Sequence, residues 1–253
     1  MKALKYTILL TIIAFLLNSC GVTYQKDNLT QDLEKLVKKE CKQETKAYIY
    51  GKTLYLDMEL NGLTSKDQKI VSQSIHIMQT AILAITRVVL SSDSNIKYTI
   101  VTTYNHDKNV AFRWIQNIDD VKSYFYMRIS HSDYNSRNIS EIKNSAAAAD
   151  MIADKHDITD GEYVARLIVS KVNTIISRYN TVFEVFVLQY VGMENKILVL
   201  SAATIIDNKL IPIIEKFLMQ ETQNYSKKYN IFFEGIKIIK STGDVMLIIS
   251  LNS

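Results

Sequence analysis

The residues from Lys46 to Leu60 constrain the fold more than any other stretch of this chain. Thr53, Tyr55, Asp57 and Glu59 alternate with Leu54, Leu56, Met58 and Leu60, the period of a strand that buries one face. Gly51 and Lys52 supply a two-residue turn before it. Folding there sets Ile49 opposite Leu54 and Ala47 opposite Leu56 on the apolar face. Tyr48 then meets Tyr55, and Tyr50 meets Thr53, on the other face. The parity agrees on both strands, so the spacing predicts a hairpin whose leucine side needs a covering layer.

Helical spacing supplies candidate covers. A stripe of Leu29, Leu33, Leu36, Val37 and Cys41 predicts a helix over 29–43, with Cys41 a small buried apolar residue. Ser65 and Gln68 form a capping-box start for a helix over 65–90, striped by Val71, Ile75, Met78, Ile82, Ile85 and Val89. Arg87, in its apolar end, is expected to reach solvent or a carboxylate. A second hairpin follows over 96–104 and 110–115, with Trp114 sharing a core-facing side with Val110 and Phe112. Short helices are expected over 119–129 and 132–142, then an alanine-rich connector over 144–158.

Thr159 with Glu162 caps the next helix. Strands over 182–191 and 196–204 flank a turn at 192–195 and are apolar on nearly both faces, which predicts positions in mid-sheet or under a second layer. A helix over 208–228, with Pro212 near its start, leads to strands over 231–240 and 245–251. The chain thus divides into a first half, 29–143, a connector, 144–158, and a second half, 159–253. Each half runs hairpin, long helix, hairpin, without marked residue identity between them. The fold class is α+β, with antiparallel sheets backed by helices.

Hydrophobic residues make up 47% of the chain, far above a disordered composition. The net charge of +4 is modest, and Asp32, Glu34, Glu40 and Glu44 interleave with the lysines of 35–46, so nucleic acid is not an expected partner. No HExxH, nucleophile elbow, P-loop or Rossmann glycine pattern occurs. His106, His131 and His156 stand near acids, but none has the spacing that sets two ligands on one helical face, so they read as turn residues and no metal or other cofactor is expected. The segment His131 to Arg137 holds Ser, His and Asp close in sequence, but triads are built in space.

Asp57 and Glu59, two apart on one strand face and so within about 7 Å, are the spacing a carboxylate pair for glycosidase work would need. A polar outer strand face is the favoured account of the two residues. With Tyr48, Tyr50 and Tyr55 they form the candidate contact face, since tyrosine offers large contact area with few rotors to freeze.

The first twenty residues decide where the chain is held. Lys2 and Lys5 make a basic start, residues 7–17 are an apolar run, and Leu17, Asn18, Ser19 and Cys20 follow. The run is shorter than the roughly 20 residues of a membrane span and has a small-residue exit. Here the chain resembles bacterial lipoprotein precursors, with Leu17 and Ser19 in their lipobox places. The resemblance implies removal of residues 1–19, a lipid on Cys20, a polar spacer over 20–28 and a cell-envelope location. Gly21 after the cysteine favours the outer membrane where a cell has two.

These features predict a membrane-tethered, non-catalytic module with a protein partner in the envelope. A tethered hydrolase of cell-wall or sugar polymers, or a small-ligand-binding lipoprotein, are the alternatives. A cleft collecting polar side chains favours ligand binding or catalysis; a flat aromatic patch favours a protein contact.

Overall fold

The computed structural model describes residues 23–63, 71–177, 187–202 and 210–251. Helix α1 (Leu29–Cys41) buries Leu29, Leu33, Val37 and Cys41 at four-residue spacing, a single stripe that fixes which side docks. Burial first, and then Glu40, raises the Cys41 thiol above its ordinary value. Strands β1 (Thr45–Tyr50) and β2 (Thr53–Glu59) form the expected hairpin in the expected register, Ile49 to Leu54, Tyr48 to Tyr55 and Tyr50 to Thr53. Gly51 turns the chain with φ +55°, and a Cβ there would fall 2.1 Å from the Asp157 carboxylate, so the position needs glycine twice over.

Helix α2 (Ser72–Leu90) crosses from β2 to β3 (Tyr98–Tyr104), which therefore runs parallel to β2. The capping pair Ser65 and Gln68 lies outside the described residues. By length and composition α2 could also span a membrane, but Met78, Ala81, Ile85, Val88 and Val89 are buried in the core it shares with α1 and β2. Arg87 pairs with Glu40 on α1, one of the two outcomes expected of it. Strand β4 (Val110–Asn117) returns antiparallel, and Trp114 on it is half-buried.

Past β4 the structure departs from expectation. Helices α3 (Ile118–Phe125) and α4 (His131–Ser136) are short, and residues 139–144 are not helical: Ile139–Asn144 is strand β5. It pairs antiparallel with β4, Ile139 opposite Ile115 and buried. The unpaired edge of β4 supplies the hydrogen bonds that outweigh the local helical spacing. Helix α5 (Ala146–Ala153) follows within the connector, and α6 (Asp160–Ile176) starts at Thr159, whose side chain accepts from the Glu162 amide at 3.1 Å.

The second half repeats the plan with β6 (Leu188–Glu194), β7 (Ile197–Ala202), α7 (Ile211–Tyr229), β8 (Gly235–Lys240) and β9 (Val245–Ser250). Pro212 sits in the first turn of α7, where its missing N–H costs nothing. The turn expected at 192–195 is displaced: β6 continues through Gly192 by a bulge after Tyr190, and Asn195 and Lys196 turn the chain with φ of +47° and +64°. Residues 182–186 of the expected strand lie outside the described residues; the described part, β6, stands at the edge of its sheet and not in mid-sheet.

The two sheets have orders β1-β2-β3-β4-β5 and β6-β7-β8-β9. Each is mixed and not purely antiparallel, because α2 and α7 each place a parallel pair, β2 with β3 and β7 with β8, between antiparallel hairpins. The fold is α+β.

One core lies between α1, α2 and the Leu54, Leu56, Met58 face of the first sheet. The larger core contains α6 and α7 and touches both sheets: Tyr55, Tyr98, Ile100, Ile115 and Ile139 of the first, Leu198, Leu200, Ile236 and Ile238 of the second. Helix α6 can serve both because it is apolar well beyond one stripe, with Tyr163, Val164, Leu167, Ile168, Val172 and Ile176 all buried. Its Asn173 both donates to and accepts from the Leu188 backbone, at 2.8 and 2.9 Å, standing in for a strand partner at the edge of β6.

Candidate functional site

The face of β2 that alternates polar residues is not a solvent face. The segment between α5 and α6 lies along it and satisfies it residue by residue. Lys155 Nζ stands 2.9 Å from Asp57 Oδ2. The Tyr55 hydroxyl donates to the His156 carbonyl at 2.8 Å and accepts from the His156 amide at 3.0 Å. Thr53 Oγ1 accepts from the Ile158 amide at 2.9 Å, and the Asp157 carboxylate accepts from the Lys52 amide at 2.8 Å. Burial, against the His156 backbone bond, pushes the Tyr55 phenol up to about 12.

Beside this strap the face opens into a cleft of about 640 Å³, within the range of small-ligand sites. Tyr48, Tyr50 and Tyr104 give it aromatic walls, Asp57 and Glu59 reach it from β2, and Ile152 and Lys155 close the strap side. Lys155 Nζ lies 5.6 Å above the Tyr48 ring and 5.5 Å above the Tyr55 ring, held by their π faces as well as by Asp57. Glu59 pairs with His106 Nδ1 at 2.8 Å, and that contact raises the imidazole above its ordinary value. Burial raises the Asp57 carboxyl, with Lys155 opposing.

The register explains why the charges collect here. Lys46, Asp57, Thr102, Arg113 and Glu141 are successive partners across the first sheet and form one polar row. The next row toward α6, Tyr48, Tyr55, Ile100, Ile115 and Ile139, is apolar apart from the tyrosine hydroxyls. The same sheet face is core at one end and site at the other. Within the polar row Asp57 Oδ1, Thr102 Oγ1 and Arg113 Nε are buried without a hydrogen-bond partner.

On the far side of the strap, a second cavity of about 910 Å³ borders β5, α6 and β6. Its wall is an ionic network. His156 bridges Asp154 and Glu162, each at 2.8 Å. Arg166 pairs with Glu162 at 2.8 Å and Glu141 at 3.2 Å, and Arg113 with Asp154 at 3.1 Å. Burial would raise Asp154, but Arg113 beside it holds the carboxyl below the ordinary range. Every carboxylate in the network has its own guanidinium or imidazole, the arrangement of a brace between the halves. His156 is therefore more than a turn residue; the acids two before and six after it were its only sequence signal. His131 contacts Tyr124 and Asn135 on its own short segment. Among the described residues, no group of His, Cys, Asp and Glu side chains is arranged to hold a metal.

Of the residues singled out in sequence, Tyr48, Tyr50, Asp57 and Glu59 all border the cleft. Tyr55 does not: it is fully buried, and Asp57 is only 7% exposed, so neither lies on an open face. Alternation correctly separates them from the leucines but does not reveal that the chain's own strap covers their side. Tyr104 and Lys155 were missed because they join the site only through the β2–β3 pairing and the return of the connector. Cys20 lies outside the described residues. Comparison with protein-family models gave no match, nor did comparison with curated proteins or with solved structures.

Proposed function

We propose that this chain is a non-catalytic binding module of the cell envelope, tethered by a lipid on Cys20, that takes its ligand or partner into the cleft beside the first hairpin. The observation that carries the reading is that the three cleft carboxylates are each paired with a cation of the chain, Asp57 with Lys155, Glu59 with His106 and Glu44 with Lys38. A glycosidase-type pair needs one carboxyl to hold a proton for the leaving group and the other free to attack or to activate water; here Lys155 holds Asp57 in a buried pair and His106 meets Glu59 at the exposed rim. A concave site with aromatic walls and immobilised charges suits recognition. The basic start, the apolar run and Ser19 before Cys20 support the tether.

Two measurements test this in cells. The mature protein should begin at Cys20 and carry a lipid by intact mass, and Cys20→Ala should release the chain from the membrane fraction. A photo-crosslinking residue replacing Tyr50 should capture a defined molecule that the same residue at Ile248 does not. Membrane retention of Cys20→Ala, or identical capture from both positions, would refute the reading.

A further inference from the structure

Resting on the tethered-module reading, we infer that the exposed turn Phe125–Arg128 enters the surface of the lipid bilayer and fixes how the domain stands on its anchor. Cys20 precedes Thr23 by three residues, a reach of about 11 Å at full extension. The Thr23 and Tyr24 amides donate to the Ser91 carbonyl at 3.0 and 3.2 Å, and the Lys26 amide donates to Asp93 at 2.8 Å. A lipid on Cys20 therefore holds the C-terminal end of α2 close against the membrane.

The sheet register brings the turn to that same end. Strands β2 and β3 begin there and β4 ends there, since Thr53 stands opposite Tyr98 and Tyr98 opposite Asn117. Helices α3 and α4 leave the end of β4 and return to β5 at Ile139, opposite Ile115, so the turn between them caps this end of the sheet. Tyr24 and Tyr134 pack against one apolar cluster, and Tyr134 stacks on Tyr124, directly before the turn, at 4.8 Å.

Phe125, Tyr126 and Met127 are exposed at 60%, 70% and 92%, three adjacent large apolar side chains where single ones are ordinary. Met127 also holds φ +54°, a place that glycine or asparagine takes after most helices, so it strains the backbone and packs nothing inside the fold. Arg128 lies 5.4 Å from the centre of the Tyr126 ring, and among the described residues no carboxylate pairs with it. Lys122 meets Asp119 only at 3.8 Å. A phenol ring, a benzyl ring, a flexible thioether and a guanidinium on one tip match the boundary between acyl chains and phosphates. A protein covering the tip would have to fit the gap that a three-residue tether leaves, whereas lipid already lines it. Contact there also turns the far rim of the cleft, Glu59 and Tyr104 at the last pair of β2 and β3, away from the membrane.

The test uses the full lipidated chain, its methionine and isoleucine methyls labelled for NMR, in nanodiscs of phosphatidylcholine and phosphatidylglycerol at three parts to one, with and without a nitroxide-bearing phosphatidylcholine. The Met127 methyl signal should be lost to the nitroxide. That of Ile75, exposed near the opposite end of α2 and about 22 Å from Leu90 along the helix, should persist. Replacing both rings, Phe125→Ser with Tyr126→Ser, should restore the Met127 signal without lowering the thermal midpoint, because neither ring is buried in the fold. Where that variant unfolds early, Met127 against Ile75 in the natural chain decides alone. Persistence of the Met127 signal, equal loss at Ile75, or loss unchanged in the folded double variant overturns the proposal. If it is overturned while the mature chain begins at a lipidated Cys20 and Cys20→Ala leaves the membrane fraction, the bilayer contact falls and the tethered module stands; a mature chain without that lipid removes both.

Discussion

The two halves of this molecule share a strand order and a helix order, yet they are covered differently. In each, a hairpin leads through a long helix to a second hairpin, with one parallel pair at the junction. The first sheet is buried on both faces, by α1 and α2 on one and by α6 with its strap on the other. Among the described residues, the second sheet is covered on one face, by α6 and α7. Its edge strands leave Val191, Val245 and Ile248 exposed at 53%, 51% and 65%, and Ile248 stands opposite Lys237, which pairs with Glu194 at 3.2 Å. Local pattern sets the repeat, then, and the neighbour of each sheet sets which of its faces is interior. The cleft arises where the doubly covered sheet outruns its second cover.

Substitutions in the two regions should differ accordingly. The largest effect is expected at the brace. Arg166→Ala strips Glu162 and Glu141 of a nearly buried guanidinium and should cost about 3–5 kcal/mol, measured as ΔG of urea unfolding. Leu167→Ala, in the helix between the sheets, should cost about 2–5 kcal/mol and lower the unfolding midpoint of both halves together. Separate transitions, with the first half unmoved, would break the comparison by showing that α6 belongs to the second sheet alone.

Tyr55→Phe leaves packing intact and removes both hydroxyl bonds to the strap, for about 1–2 kcal/mol, with faster proteolysis near His156 as the accompanying sign. Ile248→Thr on the open face should stay within about 0.5 kcal/mol. A core-sized loss there would mean that this face is covered after all.

Acid sharpens the same contrast. Burial tends to raise Asp154 and Asp160, but Arg113 beside the first, and Lys97 and Tyr98 beside the second, hold both below the ordinary 3.8. Their stabilisation is therefore complete above the unfolded value and is lost as pH falls through the folded values. Asp57 has the opposite sign: its folded carboxyl is raised, so its contribution is present below 3.8 and is lost as pH rises through the folded value. Carboxyl NMR titration should show Asp154 and Asp160 ionising below Asp57. The reverse order would contradict the assignment of Asp57 to a buried cleft floor.

The first hairpin was legible in the sequence down to its register because turn chemistry and parity agree there, residue for residue. The caps at Thr159 and Pro212 and the burial of Cys41 were legible for the same local reasons. What could not be read was non-local. Residues 139–144 carry a helical spacing, and only the open edge of β4 makes them a strand. Polar alternation at Thr53, Tyr55 and Asp57 has two causes, water or a hydrogen-bonding segment, and the partner lies about a hundred residues away, as the 101 positions between Tyr55 and His156 show. Four of the five residues proposed for the contact face still border the cleft, since parity fixes which face they share even when it misjudges what covers that face.

Helix α6 and its strap belong to the first sheet as much as to the second, and native-state hydrogen exchange of the full chain decides the matter. Amides of β2, β3 and α6 should exchange as one slowest unit, with β7 and β8 faster because one of their faces is less covered. Exchange of α6 in step with β7 and β8, while β2 and β3 open independently, would contradict it.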